Sequence, residues 1–377
     1  MTHPGRLIAC TLLLLPGARG LAEGWGVELL RDDFDGPALS STVWTINHPG
    51  HTWWVQGRTH FPDPLTTSGP FPHIAGGACV IEHHLYNPYH LGTPKTTFLG
   101  GEVRTTATYG PESRYRFEAR VRCGAQPDGL VTSQFTYGYD GSHSDEIDFE
   151  FLSKQTNDDV AWPDGDPVLT NPWNESAEKP AYVAPTGLDL TEWNTFRIYW
   201  SPDRGRVEWT WVTAGGEVVL RTETDPAAVP DEPMALYFNF WAPAATWTDA
   251  HDAGLQPAQD PADDEAHLYE IDHAEVLMRH PGDATLDAVV DVLDLARLAN
   301  HFGETDAGWT DADFNGDGAV DVLDLATIAN HFGWTGGSTG PAAGGAGRGE
   351  AIPEPATPVL LAAVLPWALK RRLRCAR

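Results

Sequence analysis

The chain has 377 residues, 53 of them acidic and 24 basic, for a formal net charge of −29. That balance excludes a general binder of nucleic acid or of an anionic membrane, because phosphate contact needs the opposite sign. It suits a soluble, exported protein, and the length allows one large domain plus a small one.

At the N-terminus, Arg6 precedes an apolar run over residues 7–15, and small residues follow at Gly20-Leu21-Ala22. This pattern predicts a secretory signal peptide over residues 1–22, too short for a membrane span. Leu7-Ile8-Ala9-Cys10 has the letters of a lipoprotein box, but it stands before the apolar run rather than after it.

From residue 23 to 279 the pattern is one of short apolar/polar alternations broken by Gly, Pro and Asn. Residues 115–121 (YRFEARV), 195–200 (TFRIYW) and 206–212 (RVEWTWV) are examples. Long helical periodicity is missing, so an all-β sandwich is expected. With both ends set aside, Cys79 and Cys123 remain of the four cysteines. One disulfide and two buried thiols are both open readings.

Residues 145–152 read DEIDFEFL. Successive strand side chains point to opposite faces, so Glu146, Asp148 and Glu150 share one face while Ile147, Phe149 and Phe151 share the other. The apolar face belongs against a core, which turns the carboxylates outward. Three acids in a row repel one another and raise at least one pKa, an arrangement suited to acid chemistry. Retaining glycoside hydrolysis needs two carboxyl groups roughly 5–5.5 Å apart. Strand positions i and i+4 lie about 13 Å apart at Cα. Long side chains at both ends, a short one between them and a concave sheet would close that gap.

Several further motifs stand in order around this strand. They are Asp32-Asp33-Phe34-Asp35-Gly36 with Trp44, Gly101-Glu102-Val103-Arg104-Thr105, Tyr109-Gly110 and Phe117-Glu118-Ala119-Arg120. Then come Gly129-Leu130-Val131-Thr132-Ser133, Phe135-Thr136-Tyr137, Trp193-Asn194-Thr195-Phe196, Asn239-Phe240-Trp241 and Ile271-Asp272. Together they resemble glycoside hydrolase family 16, and within it the licheninase-type β-glucanases. The resemblance implies a jelly-roll sandwich whose concave cleft binds a β-linked glucan. It implies Glu146 as nucleophile, Glu150 as acid/base, and Asp148 as the group that orients the nucleophile and sets the proton balance. Glu102 and Arg104 match positions that contact sugar hydroxyls. Phe135, Tyr137 and Trp241 match aromatic platforms, with sandwich core as the bland alternative, and Asn239 matches a polar contact. Asp272 matches a position that helps hold a structural calcium.

Two departures stand out. His143-Ser144 occupies the place where licheninases usually carry Trp before the Asp-Glu pair. The aromatic-rich segment 51–73 is longer than expected, and either walls one end of the cleft or packs on the sandwich.

An internal repeat follows. Residues 291–303 (DVLDLARLANHFG) and 321–333 (DVLDLATIANHFG) differ at two positions. Asp313, Asn315, Asp317, Asp321 and Asp324 fall at positions 1, 3, 5, 9 and 12 of an EF-hand-like calcium loop, with Gly318 at the turn. The first copy offers Asp283, Thr285, Asp287, Asp291 and Asp294, but has Ala288 where the turn glycine is expected. The pair, over residues 280–334, resembles a type I dockerin, which implies bound Ca2+ and a cohesin-like scaffold protein as partner. A calcium-stabilised appendage without such a partner is the alternative. Clustered carboxylates should couple folding to metal binding.

Residues 335–352 are rich in Gly, Ala and Ser and read as a flexible linker. Residues 353–377 begin Pro-Glu-Pro, continue through an apolar stretch and end in Lys and Arg. They resemble a PEP-CTERM sorting tail, which implies an export machinery of a Gram-negative bacterium and removal of the tail. A plain C-terminal anchor is the alternative.

The expectation is an exported retaining endo-hydrolase acting on β-1,3-1,4 or β-1,3 glucan. The same chemistry on agar, carrageenan or xyloglucan is the near rival, and a non-catalytic glycan-binding surface protein is the distant one. No organic cofactor is expected.

Overall fold

The structure, a computed structural model, describes residues 25–46, 54–64, 69, 71–175 and 177–336. The signal peptide, most of the linker and the sorting tail read from the sequence lie outside the described residues, as does part of the aromatic segment 51–73.

Two antiparallel-rich sheets face each other, as the alternating pattern requires. Among the described residues one sheet has 11 strands and the other 8. The larger runs from the strand Gly216–Glu223 through Arg206–Thr213, Asn194–Ser201, Arg114–Arg122, Ala266–Arg279 and Ala78–His84 to short strands at its far edge. The smaller places Val168–Asn174, Ser144–Leu152, Val131–Tyr139, Ala235–Trp241, Gly101–Thr105 and Trp44–Ile46 side by side. The three alternating segments read from sequence are all strands of the larger sheet.

The core lies between the sheets. Ile147, Phe149 and Phe151 are fully buried there, and the rings of Phe149 and Phe151 lie 5.0 and 5.1 Å from that of Phe196 on the opposite sheet. Each such side chain is worth roughly 1.5–3 kcal/mol of burial. A one-residue slip of this strand would turn all three Phe/Ile side chains out and three carboxylates in. The apolar side therefore fixes which way the acids point.

Cys79 and Cys123 are both buried free thiols, which closes the alternative left open by the sequence. The Cys123 sulfur accepts a hydrogen bond from the Thr132 hydroxyl at 3.1 Å, and burial pushes both thiols up, Cys123 to about 12. They are packing groups.

The described part of segment 51–73 packs on the sandwich beside one end of the smaller sheet. The strand Thr59–Phe61 pairs with Phe98–Leu99, and Phe61 joins a buried cluster with Trp241, Leu152 and Val131. Arg58 holds the segment by donating to the carbonyls of Pro243, Leu255 and Asp252.

Beyond the sandwich, residues 281–334 fold around a separate small core of Val290, Leu298, Trp309, Phe314, Val320, Leu325 and Ile328. The helices Val292–His301 and Val322–His331 start alike. Asp291 and Asp321 cap them, and Asp294 and Asp324 close the capping boxes.

Candidate active site

The outer face of the smaller sheet carries a cleft of about 550 Å³. Its floor is built by register, because directly opposed residues on neighbouring strands share a face. One row runs Glu102, Asn239, Ser133, Glu150. The next runs Arg104, Tyr237, Phe135, Asp148, Asn171, and a third runs Ala235, Tyr137, Glu146, Trp173. Positions up to 137 residues apart in the chain thus become neighbours through the ladders. All nine catalytic and substrate-binding positions expected from sequence (Glu102, Arg104, Phe135, Tyr137, Glu146, Asp148, Glu150, Asn239 and Trp241) line this cleft.

The three acids of the strand Ser144–Leu152 differ in environment. Glu146 and Glu150 are half-buried, Asp148 between them buried. Loss of water raises Glu146 to about 7, opposed by the neighbouring Asp148 side chain. Desolvation and the neighbouring charge of Glu146 push Glu150 to about 8. Burial, then the charges of Glu146 and Glu150, drive Asp148 well above the carboxylate range. Asn171 Nδ2 donates to Asp148 Oδ2 at 3.3 Å, and Asn171 Oδ1 accepts from the Lys179 amide at 3.1 Å, which fixes the amide's orientation. From the opposite sheet, the Trp209 indole donates to the Asp148 carbonyl at 2.8 Å. A fourth acid, Glu102, is raised to about 7 by burial and accepts from Asn239 Nδ2 at 3.3 Å.

Hydrogen-bonding capacity is left over at the floor. Among the described residues, the Ser133 hydroxyl and the Asn239 side-chain oxygen are buried without a partner, and both line the cleft. Such groups are costly unless something supplies the bond. Aromatic surface surrounds them. Phe135 stacks on Tyr237 at 5.0 Å and 27°, Tyr137 meets Tyr237 edge-on, and Trp241 lies 5.7 Å from Trp247. The Arg104 guanidinium sits over Tyr237. Ser133, Tyr237, Tyr139 and Asn171 were not singled out from the sequence. Ser133 and Tyr237 keep the period-2 phase of residues that were, so strand phase alone could have flagged them.

At the position where a Trp was expected before the Asp-Glu pair, Ser144 is half-buried. The neighbouring strand offers Trp173 instead, in register with Glu146 and held by donation to the Glu175 carbonyl at 2.7 Å.

The family model of glycosyl hydrolases family 16 matches residues 81–273, more than half of the chain, and includes the whole acid strand. The chain belongs to that family. A type I dockerin domain model matches residues 281–333. A β-glucanase of Brevibacillus brevis is 28% identical over 173 residues, 44% of this chain and 58% of the relative. The chain thus spans less than two thirds of that curated relative. Among solved structures, a Bacillus licheniformis β-glucanase has a TM-score of 0.49 at 20% identity, over 68% of this chain and 100% of that one. A prokaryotic β-1,3-1,4-glucanase (lichenase) from a mouse hindgut metagenome has 0.47 at 20%, over 66% and 98%.

The dockerin repeats form two loops of one shape. In the second, Asp313 accepts from the amides of Gly316 and Gly318, and Asp324 from those of Phe314, Asn315 and Asp321. In the first, Asp283 accepts from Asp287 and Ala288, and Asp294 from Ala284, Thr285 and Asp291. Ala288 takes φ 64°, the counterpart of Gly318 at 83°, and Leu286 takes φ 57°, the counterpart of Gly316 at 67°. The missing glycine thus does not change the turn; Ala288 takes the left-handed conformation at a cost of about 1–2 kcal/mol. Burial and the charge of Asp294 raise Asp283 to about 6, and Asp324 is raised by burial and by Asp313. Negative charge in excess of its amide donors, on oxygen-only groups, fits a hard divalent cation. Asp283, Thr285, Asp287, Asp291 and Asp294 would hold one ion, and Asp313, Asn315, Asp317, Asp321 and Asp324 the other. Among the described residues no three His, Cys, Asp or Glu side chains already converge as a metal-holding group; the position-12 aspartates spend their oxygens on loop amides. Asp272, in the sandwich, is paired with Arg120 at 2.9 Å.

Proposed function

We propose that this chain is an exported endo-glycoside hydrolase that cleaves β-1,3-1,4 or β-1,3 glucan with retention of anomeric configuration. The observation that carries the reading is the row of Glu146, Asp148 and Glu150 on one cleft-facing strand, each pKa raised. Glu146, in its carboxylate form, attacks the anomeric carbon as the glycosidic bond breaks. Glu150, protonated at neutral pH by its surroundings, gives its proton to the departing oxygen. Having lost it, Glu150 takes a proton from water, and the hydroxide oxygen displaces Glu146 from the glycosyl-enzyme ester. Ser133, Asn239, Glu102 and Arg104 would bond the sugar hydroxyls. Phe135, Tyr137, Trp241 and Trp173 would bear on the rings. No metal enters these steps.

The repeats bind calcium in this reading and attach the enzyme to a cohesin-bearing scaffold. Val292, Leu293, Val322 and Leu323 are exposed at the two helix starts and supply an apolar face for that contact. Export by residues 1–22, the domain limits 23–279 and 280–334, and sorting by residues 353–377 complete the proposal.

Reducing-end release from a panel of β-glucans, agar, carrageenan and xyloglucan tests it. Turnover on mixed-linkage or β-1,3 glucan is expected, and turnover confined to a galactan would overturn the substrate assignment. Glu146→Gln should abolish turnover and keep glycan binding; an unchanged rate would sink the enzymatic assignment.

A further inference from the structure

The second calcium loop is also a contact surface. The Phe314 carbonyl, between loop positions 1 and 3, accepts from Arg114 Nη2 at 2.9 Å and Arg204 Nη2 at 3.2 Å. Both arginines belong to the sandwich. Arg114 is buried and held by Asp203, with contacts of 2.6, 2.9 and 3.0 Å. Its guanidinium lies 4.7 Å from the centre of the Trp309 ring, and that of Arg279 lies 5.4 Å away. Trp309 in turn donates to the Asp283 carbonyl at 2.7 Å, so the same indole touches both repeats and the sandwich. At the module's far end, the Trp334 ring stacks on His280 at 3.6 Å and 3°, and His280 is bonded to Ser113 at 2.8 Å. A Cβ at Gly316 would come within 2.4 Å of Arg204, so this glycine lets the loop approach the arginine that closely. The first loop has Leu286 at that place.

We propose that the dockerin-type module is docked on the sandwich through Arg114, Arg204 and Arg279, and that calcium in the second loop thereby stabilises the catalytic domain. This rests on the calcium reading of the loops. The carbonyl and indole that the arginines grip are presented only when the second loop and its core are folded. Whatever folds that loop therefore favours docking, and docking favours the metal-bound loop to the same degree. Among the described residues, the first loop, whose position-4 residue is Leu286, has no such grip. Docking leaves Val292, Leu293, Val322 and Leu323 exposed, so a partner could bind with the catalytic cleft held at a fixed orientation to it.

The experiment uses the full chain, wild type and Arg204→Glu, with calcium or with a chelator. Calcium binding is read by titration calorimetry and melting by differential scanning calorimetry. Arg204 is exposed, so its replacement should spare the sandwich core. In the wild type, the chelator should lower the sandwich midpoint by about 3 °C or more. In Arg204→Glu, the midpoint should sit at the chelated value with or without calcium, while calcium still binds. A wild-type sandwich midpoint that ignores calcium although calorimetry records binding would overturn the proposal. So would an Arg204→Glu protein that keeps the full calcium shift. If the wild type takes up no calcium, the metal reading fails by itself, and a lowered midpoint in Arg204→Glu would still establish the docking.

Discussion

The cleft floor and the calcium loops both crowd carboxylates together, and they relieve the repulsion in opposite ways. In the cleft the acids stand on a strand whose amides are committed to the ladders, so few donors reach them. Asn171 serves Asp148 and Asn239 serves Glu102. The remaining charge is relieved by protons, which is why Glu150 rises to about 8. In the loops, backbone amides turn inward, three of them on Asp324 and three on Asp294. Asp283 rises only to about 6. In the proposed reading the carboxyl group thus serves as a proton carrier on a strand and as a cation ligand in a loop. Local backbone geometry decides between them.

The largest expected break in this comparison is at Glu150. Glu150→Gln removes the transferable proton and should lower kcat on unactivated β-glucan by about 10²–10⁴-fold, read by reducing-end assay, with the circular dichroism of the fold unchanged. Removing calcium should strike the other region instead. A chelator is expected to melt the helices Val292–His301 and Val322–His331, measured as lost helical ellipticity; helices that survive chelation would contradict metal-coupled folding.

A subtler difference lies in pH. A carboxyl whose folded pKa is raised binds more protons folded than unfolded. The stability contributed by Glu146 and Glu150 is therefore complete below about pH 4.5 and is lost as pH rises through about 7–8. Glu150→Gln should flatten that decline and gain on the order of 1–2 kcal/mol over wild type at pH 8 relative to pH 5, read from urea melts. Smallest is the loop correction. Ala288→Gly relieves the left-handed strain at φ 64° and should stabilise the module by about 0.5–1 kcal/mol, seen as a higher midpoint of helix melting.

Much of the active site was legible because strand phase is a local property. Glu146, Asp148 and Glu150 share a face in any strand, and Ile147, Phe149 and Phe151 decide which face is buried. The two loops of the repeats were legible for the same reason, since the positions proposed for calcium follow from spacing along twelve residues. The neighbours across the sheet were not. Trp173 stands beside Glu146 only because of a ladder register that no local pattern encodes. The fate of Cys79 and Cys123 also depended on tertiary placement. So did the grip of Arg114 and Arg204 on Phe314, whose partners lie 200 and 110 residues apart.

The assignment of Glu146 as nucleophile and Glu150 as acid/base stands or falls on stereochemistry. Proton NMR of the first products released from β-glucan, recorded before mutarotation, reads it directly. The account predicts that the β-anomer appears first and decays toward equilibrium. Initial release of the α-anomer would contradict it.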